Sequence, residues 1–177
     1  EYLLDSLVNI LNLGALRTDV PAEFQGIYDA EKYRKSQEYL RENTRLHLIS
    51  ESIAFFATLI FIGEGGFSIV DRLVRSLGYG EIVSGLFFIG ALVLLSSILS
   101  FPFSIYHTFV IEERYGFNRT TIKTFCLDLL KALILGTLIG GGVLALVLWF
   151  FEVAGPFAWI YAWGGLMLIQ IILLFLA

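Results

Sequence analysis

Apolar and polar positions alternate along this chain in long blocks rather than residue by residue, and the blocks predict helices. Residues 1–16 follow a helical period, with Glu1, Asp5, Asn9 and Asn12 on one face and Leu4, Leu7, Val8, Leu11 and Ala15 on others. At about 1.5 Å per residue this stretch is shorter than a bilayer core of about 30 Å, so we read it as the end of a first span. Residues 17–45 are polar: Pro21 interrupts them, and Asp29 is placed to cap a helix from Ala30 to about Arg45. Apolar spans are then predicted at 46–62, 82–101, 132–151 and 157–177. Between the first two, Phe67, Val70, Val74 and Leu77 share one face of a short segment that reads as an interfacial amphipathic helix. The expected fold is an all-α integral membrane protein, a multi-span bundle with a partial first span and four complete ones.

Composition agrees. Charged residues make up 16% and hydrophobic ones 57% of the 177 residues, against about 25% charged in a soluble domain. Mean hydropathy is +0.78. A net charge of −4 offers no basic face for nucleic acid. The single cysteine, Cys126, excludes an internal disulfide. Gly136-xxx-Gly140, continued by Gly141 and Gly142, has the spacing that lets helices pack closely. Trp159, Tyr161 and Trp163 form an interfacial belt, and Gln170 is expected to bond a neighbouring helix. The chain opens on Glu1 and closes inside an apolar run, from which we expect a longer polypeptide.

Lysine and arginine positions set the orientation. Segments 14–45 and 102–131 carry six and four basic residues, against two in 63–80 and none in 152–156. The positive-inside rule therefore places 17–45 and 102–125 together on the cytoplasmic side, where they are candidates to meet each other.

The longest polar interruption of the C-terminal half holds the candidate chemistry. It runs Phe101-Pro-Phe-Ser-Ile-Tyr-His-Thr-Phe-Val-Ile-Glu-Glu-Arg-Tyr-Gly-Phe-Asn118. Pro102, His107, Glu112, Glu113, Arg114, Gly116, Phe117 and Asn118 are its candidate site residues, lining a substrate path or bracing the connection between spans. Adjacent residues on a helix point about 100° apart, so Glu112 and Glu113 do not make a paired-carboxylate acid/base site. On an α-helix His107 shares a face with Ile111 and not with Glu112. His47 and Glu51 stand at i, i+4, but no third ligand is near. With only these two histidines there is no His-x-x-x-His, and no Gly-x-Ser-x-Gly or Walker loop occurs. From the residues we assign neither a catalytic group nor a metal ligand.

This stretch resembles the signature segment of the type I CAAX prenyl endopeptidases, integral-membrane zinc metallopeptidases. Tyr28-Asp-Ala-Glu-Lys-Tyr33, Ser36, Tyr39 to Arg45, Leu148-Trp-Phe-Phe-Glu152, Gly155-Pro156 and Trp159-x-Tyr-x-Trp163 extend the similarity over nearly the whole chain. The resemblance implies a chamber wall of membrane helices beside a cytoplasmic-side domain carrying His-Glu-x-x-His. That motif is absent here, so the family's catalytic residues transfer to no position. It further implies zinc in the full-length parent and none bound by this chain. The implied partners are the bilayer, the C-terminal catalytic domain and a peptide or protein substrate. The rival expectation is a non-enzymatic membrane scaffold, or a module that binds lipid or a hydrophobic peptide.

Overall fold

In a computed structural model, residues 2–21 and 26–176 are described; Glu1, Glu23 and Ala177, which entered the polar-face, charge and span expectations, lie outside them. The described residues form helices α1 (Tyr2–Ala15), α2 (Ala30–Gly63), α3 (Gly66–Arg75), α4 (Glu81–Tyr106), α5 (Glu113–Tyr115), α6 (Ile122–Leu135), α7 (Gly141–Ala154) and α8 (Ala158–Leu176). A π-helical segment, His107–Glu112, joins α4 to α5, and another, Gly136–Gly140, joins α6 to α7. The chain divides into two compact units, Glu1–Val70 with Ala91–Ile122, and Asp71–Gly90 with Lys123–Ala177.

In the first unit α2 is one continuous rod of 34 residues, about 51 Å long at 1.5 Å per residue. Its start is fixed as expected: the Asp29 side chain accepts from the N–H groups of Glu31 (2.9 Å) and Lys32 (3.1 Å). These bonds favour the charged carboxylate and hold the Asp29 pKa below its ordinary 3.8. No break separates the polar half of α2 from its apolar half, because residues 30–63 contain neither proline nor an internal glycine. α1 lies against this rod. The Tyr2 ring stacks on Phe55 at 4.2 Å, and its hydroxyl donates to Ser52 Oγ at 2.7 Å. Arg41 donates to the Leu16 carbonyl just beyond α1 (3.4 Å), where a cation complements the helix end. The Phe61 and Phe67 rings meet edge to face at 5.0 Å across the turn between α2 and α3.

Two expectations about α4 are corrected. Pro102 does not mark its exit: the helix runs through Pro102 to Tyr106 and continues as the π segment. Proline removes only the bond to the carbonyl four residues back, and the apolar run on both sides sustains the rest.

In the second unit, Arg75 clamps the α3–α4 connection. Its Nε donates to Asp71 (2.9 Å) and its Nη1 to Glu81 (3.2 Å). The Asp71 hydrogen bond, with both carboxylates' charge, raises the Arg75 pKa above its ordinary value. A Cβ on Gly85 would lie 2.8 Å from Leu148 Cδ1, so the expected close helix approach occurs there. It does not occur at Gly136, Gly140, Gly141 or Gly142, where a Cβ would meet nothing within 4 Å. Gln170 is exposed rather than tied to a neighbouring helix. The expected Asp128–Lys131 pair is present at 3.2 Å. Gly155, with φ of 63° and ψ of −148°, separates α7 from α8.

Three helical runs among the described residues are long and apolar enough to cross a membrane: Ala30–Gly63, Glu81–Tyr115 and Ile122–Phe175. The last has 54 residues, enough for two of the predicted spans, with Gly155 between them.

Candidate functional site

The signature stretch builds a clasp on α2, within the first unit. The π segment sets its geometry. A π turn bonds i to i+5 rather than i+4, which advances the chain so that His107 and Glu112 fall on one side. His107 Nδ1 lies 3.8 Å from Glu112 Oε1. The α-helical expectation that these two face apart is thereby corrected, and the physical reason is the wider turn. The same segment aims Ile111 inward, where it is 1% exposed.

The segment then ends sharply. Gly116 takes φ of 75°, the left-handed conformation that closes a helix and that side chains disfavour. The N–H groups of Phe117 (2.8 Å) and Asn118 (3.1 Å) both donate to the Glu112 carbonyl. Asn118 Nδ2 donates to Glu113 Oε2 at 3.0 Å, and Asn118 Oδ1 accepts from the Thr120 N–H at 2.6 Å. Glu113 and Asn118 therefore stabilise the turn itself. Glu112 and Glu113 serve separate partners, as their angular separation on the helix requires.

Arg114 reaches the polar half of α2 and donates to Glu42 Oε1 at 2.6 Å. Tyr39, one turn earlier on α2, is held edge-on by Tyr115 (5.2 Å) and Phe117 (4.9 Å). Magnitudes rank these contacts. Arg114 is 54% exposed, so solvent limits its pair to about 0.2–1 kcal/mol. Each aromatic pair contributes about 0.5–1.5 kcal/mol, and burying Ile111 about 1.5–3 kcal/mol. Apolar contact dominates the clasp, and the ion pair chiefly selects its register. Glu42 and Tyr39 were not singled out in the sequence. Their signal was the charge count that put 17–45 and 102–125 on one side.

His107 also lines an open groove of about 510 Å³ in the first unit. Asn9, Asn43, His47, Ser50 and Ser104 line it with His107, so residues from α1, α2, α4 and the π segment converge there. His47 Nε2 leans on Glu51 Oε1 at 3.4 Å. Pro102, in contrast, is exposed on α4 and makes no part of the clasp. Among the described residues no group of three or more His, Cys, Asp or Glu side chains gathers as a metal site.

Residues 9–177 match the model of a protein family described as CAAX prenyl protease N-terminal, five membrane helices. This chain belongs to that family. It is an integral membrane protein whose helices associate with the lipid bilayer. Among curated relatives, the CAAX prenyl protease 1 homolog of Arabidopsis thaliana is 28% identical over 98% of this chain and 43% of its own length. Probable CAAX prenyl protease 1 of Schizosaccharomyces pombe is 32% identical over 89% of this chain and 36% of the relative. The crystal structure of S. mikatae Ste24p matches with a TM-score of 0.84 at 27% identity, over 97% of this chain and 42% of that one. The chain thus spans less than half the length of these CAAX prenyl proteases.

Proposed function

We propose that this CAAX prenyl protease N-terminal region forms the chamber wall of a zinc metalloendopeptidase, beside a catalytic domain outside these residues. In this reading the clasp faces the cytoplasm, and 102–125 borders or braces the site that the catalytic domain supplies. The observation that carries the reading is the TM-score of 0.84 to Ste24p over 97% of this chain. The clasp supports it as well: 102–118 docks on α2 instead of forming chemistry of its own. The described residues do not fit a zinc site, since no three ligand-type side chains gather. No catalytic step is therefore assigned to them.

The test compares the 177-residue chain with the same chain in its complete polypeptide, using a prenylated peptide ending in a CAAX motif. The chain alone is expected to show no proteolysis and no stoichiometric zinc, and the complete polypeptide to show both. Zinc near one per chain in the 177-residue form overturns the reading. No proteolysis by the complete polypeptide favours the alternative, a membrane scaffold or a module for lipid or hydrophobic peptide.

A further inference from the structure

The groove beside His107 sits at a defined depth. On α2 the last charged residue before the apolar run is Glu51, and Ile53–Ile62 is uncharged. Asn43, Thr44, His47 and Ser50 line the groove from the polar side of that boundary. Ser100, Phe103 and Ser104 line it from the end of the α4 apolar run. This is the layer that lipid headgroups occupy.

Its hydrogen bonding is one-sided. Asn43 Oδ1 is buried without a partner, and so is Glu51 Oε2, one helical turn beyond His47. Both are acceptors, and both oxygens of an ionised glutamate can only accept. The two imidazoles add to this. A carboxylate favours the proton on the ring nitrogen nearest it and leaves the other nitrogen as an acceptor. Glu51 stands at Nε2 of His47 and Glu112 at Nδ1 of His107, leaving His47 Nδ1 and His107 Nε2 as acceptors. A buried acceptor left empty costs about 1–3 kcal/mol, so the groove calls for an occupant with several N–H donors. Carboxylates at two of its margins call for a cation.

We propose that this groove binds the primary-ammonium headgroup of a phospholipid, of the ethanolamine type. Such a headgroup carries one positive charge and three N–H donors at the depth where the groove lies. A choline headgroup has the same charge but no N–H, and leaves every acceptor empty.

The test is lipid retention by the detergent-purified protein, read by native mass spectrometry. The probes are dioleoyl phosphatidylethanolamine, its mono- and dimethylated forms, and dioleoyl phosphatidylcholine. Losing charge-assisted hydrogen bonds of this kind lowers affinity about tenfold or more. Retention should therefore fall stepwise with methylation, by about tenfold or more from ethanolamine to choline. Glu51→Gln keeps the shape and removes the charge; Asn43→Ala removes the acceptor. Each should lower ethanolamine-lipid retention at least about fivefold while leaving choline-lipid retention and helical circular dichroism unchanged. Equal retention of the two lipids overturns the proposal, as does ethanolamine-lipid retention untouched by Glu51→Gln in a folded protein. Preferential capture of a lysine-containing peptide over the ethanolamine lipid also overturns it, by assigning the groove to a peptide. The readout is binding, so the outcome is independent of peptidase activity.

Discussion

Ile111 and Arg114 stand three positions apart in the clasp and do opposite work. Ile111 is closed off from solvent, whereas the Arg114 guanidinium stays half in water. Ile111→Ala should cost about 2–5 kcal/mol, because it leaves a cavity as well as removing apolar contact. Arg114→Ala should cost no more than about 1 kcal/mol. Reversible unfolding in mixed micelles measures both, and a larger effect at Arg114 would invert the ranking. Asp29 gives a pH-dependent effect. Its folded pKa lies below the ordinary 3.8, so its contribution is complete above that unfolded value. It is lost as pH falls through the lower folded value. Amide exchange at Glu31 and Lys32 should accelerate in that window, and Asp29→Asn should abolish the pH dependence while keeping a cap. The Asp29 cap was legible in the sequence because capping is local. The Glu42–Arg114 pair spans 72 positions, and no local pattern encodes which of several carboxylates on α2 an arginine will choose.

At the scale of elements, the positions of the apolar helices followed from hydropathy, while their ends and inner geometry did not. Hydropathy reports burial in lipid, which is indifferent to whether a turn closes at i+4 or i+5. The π segment His107–Glu112 therefore escaped notice, and with it the meeting of His107 and Glu112. Pro102 misled for a related reason: it signals a lost N–H, and an apolar helix tolerates that loss. Deleting Thr108 should convert the wide turn to an α turn and rotate everything after it by about 100°. Tyr115 and Phe117 would then leave Tyr39. The expected result is loss of coupling between Arg114 and Glu42 in a double-mutant cycle, with a lowered melting temperature. Thr108→Ala, which keeps the residue count, should leave both nearly unchanged. The Gly136–Gly142 stripe is the converse case, since its spacing was plain but the partner it suits is not another segment of this unit.

For the whole molecule, composition and hydropathy were sufficient to name an all-α membrane protein, because a bilayer constrains every span alike. The orientation is a proposal that labelling can test. In a Cys126→Ser background, Ser36→Cys and Arg119→Cys should react with a membrane-impermeant maleimide from the same side. Ser76→Cys should react only from the other. Labelling of Ser36→Cys and Arg119→Cys from opposite sides would break the positive-inside assignment. The candidate site was legible as a place but not as a mechanism: its residues were identified, and their partners lie on α2, far away in sequence.

The length of α2 has a mechanical consequence. A rod of about 51 Å embedded in a core of about 30 Å leaves about 20 Å outside it. A bilayer that thins or thickens changes the tilt of such a rod. Pivoting α2 by about 10° about Gly63 sweeps its Asp29 end through about 9 Å. Tyr39 and Glu42, carried partway along the same lever, move by several ångströms. Membrane thickness is thus geared to the position of the surface on which the clasp closes.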